Sequence, residues 1–312
     1  AQEGRAAGTR MVEVKNDDMR YLVMADKCLD VAALEYKGMT LSFTSKPGLN
    51  GRNHFDTHGE EALRSIMGGL FFTCGLQNIC GPCETDGVEY PMHGRIRTTP
   101  AEHLCSDAYW DGADYILEVK GEMRESHLFG ANLVLRRTVR SVFGSGKIEI
   151  IDEVENQTAE EADLMLMYHC NAGFPLMDAC SVFEIDPVES GDRDEIAANG
   201  RKEESYKVFG DPIVGYDEQV FYHKLPADEN GWCHATMVNP ERKLALTVSY
   251  HNQELPYLIH WKCKDAGNYV TGIEPSNCHP EGVHKEEEYG TLRKLAAHET
   301  ITTGITIRAG ER

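Results

Sequence analysis

The sequence predicts an all-β protein, a large antiparallel β-sandwich with few short helices. Three observations lead there. Short apolar runs follow one another along most of the chain, many alternating with period two. Glycine, proline, asparagine and aspartate punctuate them. No long stretch carries the 3.6-residue period of an amphipathic helix, and no repeat of fixed length suggests a propeller or solenoid.

Taken in order, YLVM, VAALEY and MTLSF between Tyr21 and Phe43 read as successive short strands. GEEALRSI, residues 59–66, is the best helical candidate of this part and offers only about two turns. GGLFFTCGL returns to strand composition, and a loop rich in Gly, Pro, Cys and Asp leads from Cys80 to Pro91 and into PMHGRIR. A meander follows. In YILEVKGEM, Tyr115, Leu117 and Val119 share one face. The glycines at 144 and 146 form a hairpin turn between NLVLRRTVRSVF and KIEIIDEVENQT, where Asp152 interrupts the face of Ile148, Ile150 and Val154. ADLMLMYHCN, SVFEI, QVFYHKL, WCHATMV, LALTVSY, YLIHW, YVTGIE and ETITTGITIRA complete about fifteen strands. Residues 188–207 and 284–290 are charged and read as solvated excursions rather than sites. Residues 1–19 are expected to be an N-terminal arm or an added remnant, and 20–312 one domain.

With 31 Lys plus Arg against 51 Asp plus Glu, the formal net charge is −20, which repels phosphate backbones and anionic lipid. Nucleic acid and membrane are not expected partners. No apolar run reaches the roughly 18–20 residues of a membrane span, and AQEGRAAGTR lacks the apolar core of a signal peptide, so a cytoplasmic protein is expected. Ten cysteines in 312 residues are too sparse for a disulfide scaffold. Cys80 and Cys83 have the gap of a zinc knuckle, with Cys74 nearby, but no second pair matches them, and no metal site is assigned.

Three polar residues stand where apolar runs meet backbone breaks: His93 before Gly94, His169 just before Asn171 and Gly173, and Glu274 before Pro275. In YVTGIEPSN the carboxylate follows Val270 and Ile273, surroundings that desolvate an acid and raise its pKa. Taken singly, such a histidine is more often an ordinary hydrogen-bonded side chain. That reading is kept for His54, His58, His103, His127, His223, His234, His251, His279, His284 and His298.

Five motifs in order, GGLFFTCGL, MHGRIRTTPAE, IIDEVENQT, YHCNAGFPL and GIEPSN, make the chain resemble the galactose mutarotase (aldose 1-epimerase) superfamily from about residue 20 to 308. The closer resemblance is to the aldose-epimerase-like group known as domain of unknown function 4432. The resemblance implies a galactose mutarotase-like supersandwich with a sugar cleft on its concave face. It also implies roles: His169 as the acid that protonates the ring oxygen, Glu274 as the base on the anomeric hydroxyl, and His93 as a histidine orienting the sugar. Ring opening needs one proton withdrawn and one delivered, which suits a Glu and His pair lying roughly 5–8 Å apart with the sugar between them. No hydride moves, so no cofactor is implied, in keeping with the lack of GxGxxG and GxxxxGK[ST] fingerprints.

The expected ligand is a small sugar or sugar acid, and the expected assembly a monomer or homodimer. Arg95, Arg97, Asn171, His260 and Lys262 are candidate hydroxyl-binding groups, with Trp261 a stacking platform. Arg95 and Arg97 would suit a carboxylate, sulfonate or phosphate; equally, one could pair with Glu102. The reading is therefore an isomerase that interconverts the anomers of a monosaccharide or sugar acid. Its rivals are a carbohydrate-binding protein without turnover and a lyase or hydrolase on the same fold. The presence of both an acid and a base argues against the pure binder.

Overall fold

The structure, a computed structural model, describes residues 2–51, 58–85 and 87–312; His54 lies outside the described residues. Among these, two large antiparallel sheets face each other. The eleven-stranded sheet runs Met11–Asn16, Met19–Met24, Val31–Tyr36, Phe71–Leu76, Ala162–Gly173, Asn268–Ser276, Tyr257–Asp265, Gln219–Lys224, Glu189–Asp192, with two short strands on its flanks. The eight-stranded sheet runs Glu102–Asp111, Asp114–Ser126, Asn132–Val142, Lys147–Asn156, Thr300–Gly310, Leu244–His251, Trp232–Asn239, Val182–Glu184. The expected meander is the consecutive pairing at the start of this second sheet.

The main core lies between the sheets and draws on both. Tyr21, Phe71, Tyr168 and Ile273 meet Val119, Leu135, Ile150 and Ile307, and each fully buried aliphatic or aromatic side chain contributes about 1.5–3 kcal/mol. Asp152 does not interrupt this face idly. Its carboxylate accepts two hydrogen bonds from the fully buried Arg137, at 2.8 and 2.6 Å, and one from Tyr168 Oη at 2.7 Å. Arg137 also donates to Asp30 Oδ1 and Thr73 Oγ1, at 2.7 and 2.8 Å. One guanidinium thus ties the second sheet to the strands carrying Phe72 and His169, with its charge compensated as burial demands.

Several expectations change. Residues 2–19 are not a detached arm, because Met11–Asn16 pairs along its length with Met19–Met24 and Arg5 donates to Asn50 Oδ1 at 2.8 Å. The alternation in VEVKN turns Val14 and Asn16 inward, and that alternation binds the segment to the sheet. GEEALRSI holds only a single 3₁₀ turn, Glu61–Arg64. The charged stretch 188–207 forms a strand, Glu189–Asp192, and a helix, Glu195–Glu203, whose first turn is capped by Asp194 Oδ1 accepting from Ala197 N at 2.9 Å. The 284–290 run forms the helix Val283–Tyr289, with Glu286 buried. Among the described residues no helix is long and apolar enough to cross a membrane.

Candidate active site

The site follows from register. In the large sheet Phe72 stands opposite His169, and the pairs Cys170 with Ile273 and Met167 with Ser276 set His169 opposite Glu274. Glu274 in turn faces Ile259, and Ile259 faces Tyr222. Directly opposed residues share a face, so one row across five strands sends Phe72, His169, Glu274 and Ile259 to the side away from the main core. Two residues along, Asn171, Gly272, Trp261 and Val220 make a second row on that side. Together they floor a cavity of about 420 Å³, walled by His93, Arg193, Glu218, Phe43, Pro47, Leu63 and Ile66.

His169 Nε2 lies 3.2 Å from Glu274 Oε1. This is closer than the separation expected from the sequence. The two residues are directly opposed on neighbouring strands, and the Glu274 side chain folds back over Gly272, where a Cβ would collide with its carboxylate. Phe72 stacks on the His169 ring at 4.4 Å, and Trp261 meets its edge at 5.6 Å. The His93 ring approaches edge-on, 5.7 Å between centroids. Nδ1 of both histidines is buried without a hydrogen-bond partner among the described residues, and the short contact of Glu274 Oε1 with His169 Nε2 is not aligned as a hydrogen bond.

His93 is not at a strand end. It occupies a turn, in the left-handed region with φ 59°, and Gly94 follows with φ 70°. A side chain at Gly94 would run into the carbonyls of Gly75 and Asn78, so only glycine lets the turn lie on the Phe72 strand. There Gly75 N donates to His93 O at 3.2 Å and Arg95 N to Gly75 O at 3.1 Å. Glu125, reaching over from the second sheet, accepts from Leu76 N at 3.1 Å. Burial pushes its carboxyl up to about 7, against the pull of the Leu76 amide, of Arg95 and of the Gln77 and Ile96 amides.

Burial also sets the proton inventory. It lowers His93 to about 4. His169 falls well below the usual imidazole value through burial, with the neighbouring His93 adding to it. Glu274 rises well above the carboxylate range through burial and through Glu218, partly offset by Arg193. Burial thus disfavours the charged form of all three groups, favouring neutral imidazoles beside a protonated carboxyl, with one proton on the His169–Glu274 pair.

Of the other expected residues, Asn171 and Trp261 line the cavity. Asn171 is held by donating to His169 O at 2.9 Å, and Trp261 Nε1 donates to Glu218 Oε2 at 2.7 Å. His260 and Lys262 do not reach it. They flank Trp261, so strand alternation turns them to the opposite face: His260 packs against Phe183 and Phe221, and Lys262 donates to Glu204 at 2.6 Å. Arg95 and Arg97 also turn away, because the 3₁₀ turn Ile96–Thr98 directs them elsewhere. Arg95 donates to Glu89 O at 2.7 Å, and the buried Arg97 to Ser65 Oγ at 2.8 Å. The ten cysteines are free thiols; Cys80 lines the cavity, Cys74 is buried, and Cys83 points its thiol at Asn78.

Arg193, Glu218 and Lys46 are cavity residues that the sequence did not point to. Arg193 lies in the stretch read as solvated. The signal present was Asp194 as a helix N-cap, which makes Arg193 the last residue before a rigid element.

Among solved structures the chain is similar to a candidate aldose 1-epimerase from Klebsiella pneumoniae, with 23% identity over 98% of this chain and 81% of that one and a TM-score of 0.92. It is also similar to a galactose mutarotase-like protein from Clostridium acetobutylicum, 15% identical over 97% and 96% of the two chains, TM-score 0.71. A GalM/aldose epimerase homologue from C. elegans matches at 13% identity over 97% and 99%, TM-score 0.59. At these identities the likeness shows a shared fold, the galactose mutarotase-like β-sandwich. Among curated proteins no match is found. Residues 6–309 match the profile of one family, and the chain belongs to it: the domain of unknown function DUF4432.

Proposed function

We propose that this protein is an aldose mutarotase, an isomerase that interconverts the anomers of a monosaccharide by acid and base catalysis within the cavity. The observation that carries the reading is the opposed His169 and Glu274, buried at the cavity floor with pKa values displaced towards each other. A site that only bound sugar would have no use for a pair holding one mobile proton, whereas ring opening uses it directly. The similar folds described as epimerase or mutarotase-like support the same class.

A polyol entering the cavity supplies hydrogen bonds to both groups and offsets their desolvation. This favours the form in which the proton sits on His169 and Glu274 is ionised. Glu274 then removes the proton from the anomeric hydroxyl, the C1–O5 bond breaks as C1=O1 forms, and His169 protonates O5. Rotation about C1–C2 and the reverse transfers close the other anomer. His93 orients the ring oxygen, Asn171 and the Arg193–Glu218 pair hold hydroxyls, and Trp261 offers an apolar face to sugar C–H bonds. The ten free thiols suit a reducing compartment, and the cytoplasm is the proposed place of action.

The test is anomer exchange by saturation-transfer NMR over a panel of aldoses and uronic acids, with the wild type and Glu274→Gln. The expected result is exchange above the uncatalysed rate for at least one sugar, lowered about 10³-fold by the substitution. Binding of sugars with no accelerated exchange would replace this reading with that of a carbohydrate-binding protein.

A further inference from the structure

Resting on that reading, we propose that the cavity selects an uncharged aldose that presents an apolar edge, a deoxyhexose above all, and rejects uronates and sugar phosphates. The expectation of an anion site rested on Arg95 and Arg97, and both lie outside the cavity. Apart from the histidines, the basic residues lining the cavity among the described residues are Arg193 and Lys46.

Arg193 faces two acids already. The Arg193 guanidinium is bracketed by Asp194, 2.8 Å from Nε, and by Glu218, 3.4 Å from Nη2. Lys46 is exposed beside the turn after the Trp261 strand, where water screens its charge. An anionic substituent would thus shed its water to meet the two acids that already hold Arg193, a net loss. The same Arg193–Glu218 pair offers donors and acceptors side by side, which suits neutral hydroxyls.

Much of the rest of the wall is apolar. Phe43, Pro47, Leu63 and Ile66 line the cavity and belong to none of the strands that floor it. Whatever part of the sugar lies off the floor meets these side chains, where a hydroxymethyl would lose a hydrogen bond that a methyl never had.

The proposal is tested with three matched series, gluco, galacto and manno, each with methyl, hydroxymethyl or carboxylate at C6. Exchange is measured on the wild-type protein and binding on Glu274→Gln by calorimetry. The expected order in kcat/KM and in affinity is methyl, then hydroxymethyl, with the uronate at least about tenfold behind. In Glu218→Gln, where an amide oxygen still receives the Trp261 N–H, Arg193 loses one counter-charge, and the uronate should gain severalfold relative to its neutral partners. A uronate handled as well as the neutral sugars overturns the proposal, as does the absence of any binding. If no sugar exchanges but neutral ones bind in the stated order, the acid and base reading falls and the assignment of ligand class stands.

Discussion

The carboxylate of Glu274 lies folded over the bare Cα of Gly272, two residues earlier on the same face of the same strand. The space a methyl group would fill there is taken by Oε1, and Trp261 Cβ closes the other side. Gly272→Ala should therefore leave the sheet standing while moving the base and pressing on the stacking platform. A shift of about 1 Å in a catalytic group costs on the order of 10² in rate. The expected outcome is that loss in kcat/KM with a thermal midpoint within a few degrees of wild type; unchanged turnover would show that the placement of Glu274 is not critical.

The shared proton gives the reaction a bell-shaped pH dependence in kcat/KM, which reports the free protein. Below the depressed His169 value the pair gains a second proton and lacks a base. Above the raised Glu274 value it loses its proton and lacks an acid. The acid limb should thus fall well below 6.5 and the basic limb well above 4.5. Initial rates across the pH range check this, and a profile declining from about pH 5 upwards would rule out the one-proton pair.

Trp261 and His260 are neighbours with opposite fates. Trp261→Ala should weaken sugar affinity about tenfold with little loss of stability, because it removes a cavity wall. His260→Ala should cost about 2–4 kcal/mol in urea unfolding and leave sugar affinity unchanged, because it empties a fully buried position between the sheets. Calorimetry and denaturation on both variants give four numbers, and a reversed pattern would mean that the parity assigned to this strand is wrong.

Glu125 holds the Leu76 amide beside the His93 turn, so Glu125→Gln should lower kcat by loosening His93. The same substitution in a His93→Ala background should have no further effect on rate; additive losses would mean that Glu125 acts otherwise. It also carries a stability signature. A carboxyl raised by burial from 4.5 to about 7 contributes stability that is fully present below the unfolded value and lost as pH rises through about 7. Unfolding free energy measured across that window should fall with rising pH in the wild type and fall less in Glu125→Gln.

Much of this was written locally. Period-two alternation marks most of the strands, and the residues that meet at the floor, His169 and Glu274, stand out because each follows an apolar run and precedes a backbone break. Asn171 was legible as the break after His169, and Trp261 as an aromatic face for a sugar. Local pattern settles which faces are apolar, where the chain turns and which titratable groups are desolvated, since these depend on neighbours within a few residues. Tertiary structure alone decided what lies across the sheet from what. The strands of His169 and Glu274 are more than a hundred residues apart, and their register brings the pair within 3.2 Å. It also turned His260 and Lys262 to the far side of Trp261, led Arg95 and Arg97 away on a short 3₁₀ turn, and carried Arg193 in from a stretch that looked solvated. Pairing between distant strands and the direction of a side chain leaving a turn depend on which surfaces bury each other, and no local pattern encodes that.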